Sequence, residues 1–364
     1  MAKERVLLVG LLRRKGREEK IHSLEELASL VKTAGGEVVE TIVQKRDRPD
    51  PAYFIGKGKA EEIKELVEKH EIDTVVFDDP LTPAQVRNLE KLIGVKIIDR
   101  RDVILDIFAQ HARTRTAKIE VELAQLKFKL PRIYGRGEEL SRLGGGIGTR
   151  GPGEKKLEVD RRRIKERIKK LTGELKRIEK SREIQRKRRK GLFRVALVGY
   201  TNAGKSTLMN ALSHADVYVD DKLFATLDPT TRLVVLPTGE KFLVTDTVGF
   251  IRNIPPQLVA SFHATLEEAV EADLRLWVVD VSHPEFERHI KETERIMENL
   301  GCRDKPYIIV FNKIDLLWDR GIMERLSHLY PGCMFISAKT GEGIEELKER
   351  IKKLIHEKKE VRVG

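Results

Sequence analysis

The chain has 364 residues, too many for one ordinary domain and enough for two or three. Its net charge of +12, with 40% hydrophobic and 35% charged residues, describes a very polar chain that can still build cores. No apolar run reaches the ~18 residues of a membrane span, and the two cysteines, Cys302 and Cys333, have no metal or redox spacing, so a reduced cytoplasmic protein without membrane insertion is expected.

Residues 6–12 are a short apolar run closed by Arg13, Arg14 and Lys15, which reads as a buried strand rather than a signal peptide. Ser23, with Glu26 three residues later, has the form of a capping box, predicting a helix from there to about Val31. Strands follow at 38–43, 74–77 and 95–98, with helices at 60–70 and 83–93. This alternation predicts a small α/β domain with a largely parallel sheet over residues 1–103.

Long helices take over in residues 104–190. Ile119, Leu123, Leu126 and Leu130 form one apolar stripe; Ile164, Ile168, Leu171, Leu175 and Ile178 form another. Between them lies a stretch, 131–156, rich in glycine and arginine. The pattern predicts a helical hairpin with that stretch as its tip. Residues 150–194 hold 20 Lys and Arg against 7 Asp and Glu, a net of +13, so this window carries the whole excess of charge. Such concentration points to a polyanion, nucleic acid above all, against the plainer reading of a solvated basic helix.

Residues 193–198 open a third region, 191–364, as a strand. Further strands are expected at 233–236, 242–245, 276–281, 307–311 and 334–336, and a helix at 344–355. The fold class expected for the whole chain is α/β: an N-terminal α/β domain, a long helical hairpin and a C-terminal α/β domain with a mainly parallel sheet.

Gly199, Tyr200, Thr201, Asn202, Ala203, Gly204, Lys205 and Ser206 fit GxxxxGK(S/T) between a strand and a helix, the context that gives the motif meaning. Glycines let backbone N–H groups curl around phosphate oxygens, and the helix N-terminus adds its positive end. Lys205 is expected to reach the β- and γ-phosphates and Ser206 to ligate magnesium. Alone, this motif leaves ATP and GTP open. Asp246, Thr247, Val248 and Gly249 form DxxG after a strand; Asp246 is expected to hold magnesium through water, and the Gly249 N–H to sense the γ-phosphate. Asn312, Lys313, Ile314 and Asp315 follow another strand. An aspartate accepts two hydrogen bonds from guanine N1–H and the 2-amino group, a pair that adenine cannot offer, so Asp315 selects guanine, with Asn312 and Lys313 bracing its loop. Ser337, Ala338 and Lys339 follow the next strand, where their backbone can meet the guanine oxygen. In this order the motifs make 191–364 a C-terminal P-loop G domain with a mainly parallel sheet and imply binding of GTP and GDP and hydrolysis, with Lys205, Gly249 and a switch threonine at the reaction. Phe224, Ala225, Thr226, Leu227, Asp228 and Thr230 lie in the first-switch stretch; Thr226 is the chosen magnesium ligand and Thr230 the alternative.

Gly249 is followed by Phe250, which cannot hydrogen-bond water where many GTPases carry a water-orienting glutamine. Unaided hydrolysis is therefore expected to be slow. Either potassium, at a site marked by Asn202, or a macromolecular partner would complete the site.

These motifs, with Tyr53 to Lys59, Asp99 to Ala112 and the glycine-rich Leu143 to Glu154, cover nearly the whole chain and resemble the HflX family of GTPases. The resemblance supports Thr226 as the switch threonine and places Phe250 among GTPases with a hydrophobic residue there. It also implies a partner, the large ribosomal subunit and its RNA, and a role in splitting or rescuing stalled ribosomes. The hairpin tip would then approach RNA, with Arg142 and Arg150 as phosphate contacts. A ribosome-assembly GTPase and a nucleotide-switched antiassociation factor are the rival roles. Some relatives carry a further domain after the G domain, where this chain has only 357–364 after its last expected helix. Some are similar in using ATP through the N-terminal region; here Gly56, Lys57, Gly58 and Lys59 offer a helix start to an anion, without a magnesium-ligand pattern. A monomer is expected.

Overall fold

The computed structural model describes residues 3–13, 17–134, 152–188, 191–213, 229–252, 268–302 and 305–363. They fall into two compact units that divide between Ile178 and Glu179. Among the described residues no helix is long and apolar enough to cross a membrane.

The first unit is built on a four-stranded sheet in the order β2-β1-β3-β4, with every pairing parallel. Its elements are β1 (Arg5–Leu12), α1 (Arg17–Thr33), β2 (Glu37–Lys45), α2 (Lys57–Lys69), β3 (Thr74–Phe77), α3 (Pro83–Ile93) and β4 (Lys96–Asp99). Strand β1 is an unbroken apolar run because it is covered on both faces, as parallel strands are. Leu7, Val9, Val75 and Phe77 pack with Ile63 and Leu89 in one core. Thr82 and Gln85 close a reciprocal capping box on α3, and Gly94 ends it in the left-handed region at φ 91°.

The capping-box reading of Ser23 and Glu26 is wrong. Helix α1 begins at Arg17, and Ser23 lies inside it. Its hydroxyl donates to Asp78 at 2.9 Å. Arg100, only 2% exposed, donates to Asp78 at 2.7 Å and to Glu26 at 2.6 Å. Lys20 reaches Asp78 at 2.7 Å and Asp79 at 2.8 Å. The physical reason is that Asp78, at the end of β3, and Arg100, at the start of α4 (Arg100–His111), need partners in a dry interior. Ser23 and Glu26, three apart on one helix face, supply them. Burial alone would raise the Asp78 carboxyl, but Arg100 and Lys20 outweigh it and hold it below its ordinary value.

Two further helices, α5 (Arg115–Tyr134) and α6 (Pro152–Arg188), carry the two stripes. Ile119, Leu123 and Leu171 are buried together, with Leu126, Ile168, Leu175 and Ile178 packed against them. Arg167 donates through two nitrogens to Glu122 at 2.7 and 2.8 Å, tying the helices across their rim. Helix α5 does not stop at Pro131, where the tip was expected to begin, but runs to Tyr134. Proline removes one helical donor. Arg132, next in the chain, is held by Asp102 at 2.8 and 2.9 Å and lies 4.2 Å over the Phe128 ring, which fixes that last turn. The expected tip contacts Arg142 and Arg150 lie outside the described residues.

The second unit holds a six-stranded sheet in the order β10-β9-β8-β5-β7-β6, parallel except for the β6–β7 pair. In chain order it contains β5 (Phe193–Gly199), α7 (Lys205–Ser213), β6 (Thr230–Val235), β7 (Lys241–Asp246) and β8 (Leu274–Asp280). Then come α8 (Phe286–Asn299), β9 (Tyr307–Asn312), a 3-10 turn (Ile314–Leu316), α9 (Gly321–Leu329), β10 (Met334–Phe335) and α10 (Ile344–Val363). Leu197, Val244 and Leu276 pack with Leu208, Leu347 and Ile351 in its core. Helix α10 extends well past residue 355, where the apolar pattern ends. The α/β class and the mainly parallel sheets are those expected.

Candidate nucleotide site

Strand β5 ends at Gly199 with φ 148°, and a Cβ there would lie 2.2 Å from the Val278 carbonyl oxygen. No other residue fits so close to β8. The chain then turns through Asn202 at φ 60° and Gly204 at φ 90°, where a Cβ would meet Asn312 Nδ2 at 2.2 Å. Tyr200, Thr201 and Ala203 turn their side chains inward, so the loop presents backbone rather than side chains; Asn202 alone of these is exposed. Lys205 begins α7 and donates to the carbonyls of Gly199 at 3.1 Å and Tyr200 at 2.7 Å. Burial pushes its ammonium down to about 8, with Asp246 opposing the shift. A cation held in the arc of its own phosphate-type loop is poised for anionic oxygens.

The Ser206 hydroxyl, in the first turn of α7, donates to Asp246 Oδ2 at 2.6 Å from the end of β7. One neutral and one anionic hard oxygen at this separation fit magnesium, which takes few protein oxygens and fills its shell with water and phosphate. Past Asp246 the chain is fixed by core contacts. Thr247 donates its hydroxyl to the Leu197 carbonyl at 2.7 Å, and Val248 is buried. A Cβ on Gly249 would lie 2.7 Å from Thr201 Cγ2 and 3.0 Å from Lys205 Nζ, so this position accepts only glycine. Two backbone bonds then zip the segment onto the phosphate loop: Thr201 N–H donates to Phe250 O at 2.7 Å, and Phe250 N–H to Gly199 O at 3.0 Å. Phe250 is 2% exposed. Its side chain is a core residue, which accounts physically for the absence of a water-orienting group there.

Asn312, at the end of β9, joins two loops. Its Nδ2 donates to Ala203 O at 2.8 Å, and its Oδ1 accepts from Ala338 N–H at 2.9 Å. Lys313 takes the left-handed conformation, φ 68°, and pairs with Asp280 at 2.6 Å. Ile314 is buried, and Ser337 donates to Asp315 Oδ1 at 2.6 Å. Lys339 is exposed. Hydrogen bonds therefore link all four motif loops, through Ala203 with Asn312, Asn312 with Ala338, Ser206 with Asp246, and Gly199 with Phe250.

Phe224, Ala225, Thr226, Leu227 and Asp228 lie outside the described residues. The alternative, Thr230, opens strand β6 opposite Asp246. Sequence reasoning missed Asp280. Its signal was available, because a charged residue ends an apolar parallel strand there as Asp246 does. It also missed Arg252, Glu285 and His289, whose partners are distant in sequence and leave no local pattern.

The chain matches three family models: GTP-binding GTPase N-terminal over residues 21–109, GTP-binding GTPase Middle Region over 111–189, and 50S ribosome-binding GTPase over 194–313. It is 51% identical to GTPase HflX of Caldanaerobacter subterraneus subsp. tengcongensis, over 99% of this chain and 82% of that one. It is 46% identical to GTPase HflX of Escherichia coli K12, over 91% of this chain and 78% of that one. A crystal structure of an SsGBP and GDP complex is 27% identical, with a TM-score of 0.52, over 96% of this chain and 98% of that one. With relatives this similar along nearly its full length, and with a P-loop whose strand, glycines and lysine are in place, the chain belongs to the HflX family of GTPases.

Proposed function

We propose that this GTPase docks on the large ribosomal subunit in its GTP-bound state and couples hydrolysis to the splitting or rescue of stalled ribosomes. The observation that carries the reading is the hairpin. Helices α5 and α6 are sealed by one narrow stripe, while Arg162, Arg163, Lys165, Lys169, Lys170 and Lys176 of α6 are exposed outside it, within a sequence window, 150–194, of net charge +13. Such a surface is suited to RNA phosphates. Support comes from the match of residues 194–313 to a family described as 50S ribosome-binding GTPases. In this reading residues 1–103, 104–190 and 191–364 act as base, RNA arm and G domain of a cytoplasmic monomer.

Within the G domain, the backbone of Gly199 to Gly204 and Lys205 hold the β- and γ-phosphates and stabilise charge on the transferring group. Ser206 and Thr226 ligate magnesium, and Asp246 acts through water. Held by these oxygens, magnesium would supply neutralisation of the phosphate charge. The Gly249 N–H senses the γ-phosphate, and Asp315 reads guanine. The Ala338 N–H is engaged by Asn312, so the guanine oxygen falls to the backbone of Lys339. Potassium bound near the exposed Asn202 is a candidate second cation.

The test is GTP turnover with and without purified large subunits, in potassium and in sodium. Stimulation by large subunits is expected, with a further gain in potassium. Equal turnover with and without subunits would sink the ribosome-coupled reading, and equal turnover in both salts the potassium site. Preference for immature particles would favour assembly. A Lys205→Ala variant that splits ribosomes fully would favour a nucleotide-switched antiassociation factor.

A further inference from the structure

One face of helix α8 grips both sides of the phosphate-loop zip. Glu285 occupies its N-cap position, and His289 lies one turn on, so the two share a face. Glu285 ion-pairs with Arg252, a buried arginine two residues beyond Phe250. The His289 ring, 7% exposed, stacks on Tyr200 with centroids 3.8 Å apart and planes 8° from parallel. His283 lies 4.6 Å from His289, and its Nδ1 accepts from the Glu285 N–H at 3.1 Å. Burial first, then His283 and Arg252, push the His289 imidazole down to about 3, so the stack is between neutral rings.

Between these two grips lie the atoms placed at the reaction. The Tyr200 carbonyl accepts from Lys205 Nζ at 2.7 Å, and the two Phe250 backbone bonds register Gly249 against the loop. Gly249 has no slack, since a Cβ there would be 2.8 Å from Thr201 Cα. A GTPase that buries the residue after Gly249 has no long side chain to correct the position of the attacking water. Its rate then depends on where backbone groups are held, and a displacement of ~1 Å is enough to cost about 100-fold.

We propose that Glu285 and His289 are positioning residues for hydrolysis: through Arg252 and Tyr200 they fix the register of Gly249 against Lys205. The proposal rests on the roles given to Lys205 and Gly249 above. An ion pair with a buried arginine and a partly buried glutamate is an expensive way to fill space, because the arginine loses its water and the glutamate part of its own. Its use here is geometric, since it ties the segment that leaves Gly249 to the same helix that holds the P-loop tyrosine.

The experiment uses the full chain, with guanine-nucleotide affinity, single-turnover hydrolysis and thermal melting measured on each variant. Glu285→Gln is expected to slow hydrolysis about tenfold, well inside the cost of such a displacement, with GTP and GDP affinity kept within about twofold. His289→Phe, which keeps the stack, is expected to retain the rate, and His289→Ala to lose it. A double Arg252→Met, Glu285→Gln variant removes both charges together and is expected to be no slower than the worse of Arg252→Met and Glu285→Gln alone, because both act through one contact. Wild-type turnover in folded Glu285→Gln and His289→Ala would overturn the proposal. So would a fall in nucleotide affinity that accounts for the whole loss of rate. Failure of the underlying site reading is distinguishable: Lys205→Ala would then hydrolyse GTP normally.

Discussion

The two units share a plan and use it oppositely. Each is a mainly parallel sheet wrapped by helices, and each places acidic residues at the C-terminal ends of its strands, where open α/β sheets bind ligands. In the first unit those residues are Asp78 and Asp99, in the second Asp246 and Asp280. Asp78 is taken up by Arg100, Lys20 and Ser23, and Asp99 by Arg101 at 2.5 Å and by the N–H of Leu81 at 3.2 Å. In the second unit Asp246 accepts from the Ser206 hydroxyl at 2.6 Å and interacts with the Lys205 ammonium, and Asp280 holds a lysine that braces the base loop. Glycines differ in the same sense. Gly35 and Gly94 turn the chain of the first unit where an added Cβ would meet nothing within 4 Å, whereas an added Cβ at Gly199 or Gly204 would lie 2.2 Å from a neighbour. A strand-end acid becomes a site where the fold leaves it to exchangeable partners beside a loop of bare backbone. It becomes a fastening where arginines close over it.

The comparison breaks most sharply at Arg100. Arg100→Met takes its arginine from the partly buried Glu26 and leaves the buried Asp78 with Lys20 alone of its two cations, and is expected to destabilise the first unit by about 3 kcal/mol. The loss is read as an earlier unfolding step for that unit, while GDP binding by the second unit persists. Loss of both together would show that the units are not thermodynamically separate. Lys205→Ala makes the converse cut. Turnover is expected to fall about 100- to 1000-fold, as when a donor to the transition state is removed. Melting should hold or rise, because a buried ammonium is removed. Near-normal turnover would contradict the phosphate role. Asp315→Ala is expected to weaken GDP binding about 10- to 100-fold and to erase preference over ADP, since a purine edge then meets no paired acceptor. Competition binding with the two diphosphates measures this.

The strands were legible because burial on both faces writes itself as an apolar run, and the phosphate and base loops because their chemistry tolerates few residues. The reading failed where a residue answers to a distant partner. Ser23 and Glu26 have the local spacing of a cap, but Asp78 and Arg100, 55 and 74 residues away from them, recruit them into a helix interior. Pro131 has the local chemistry of a helix end, yet Asp102, 30 residues back, holds the turn that follows it. Arg252 and Glu285 are 33 residues apart and carry no motif. What an alternating pattern cannot encode is which charged side chains the folded interior will pair.

Acid separates the two units by a smaller effect. His289 titrates near 6.5 when unfolded and about 3 when folded. Above 6.5 both states are neutral and its contribution is constant. As pH falls below 6.5 the unfolded chain takes a proton that the folded one refuses. Stability of the second unit should therefore decline by up to about 1.4 kcal/mol per pH unit. In the first unit the signs differ. Asp78 is held low, so its contribution persists until pH drops below the ordinary carboxylate range. Burial raises Asp102 and Asp106, whose protonation relieves a penalty instead of adding one. Between pH 6.5 and 4.5 the second unit should thus lose stability first. Urea unfolding of wild type and His289→Phe across that range measures it, and the phenylalanine, which cannot titrate, should flatten the slope. Equal slopes would mean that His289 takes its proton inside the folded protein, and the neutral stack on Tyr200 could not then persist in acid.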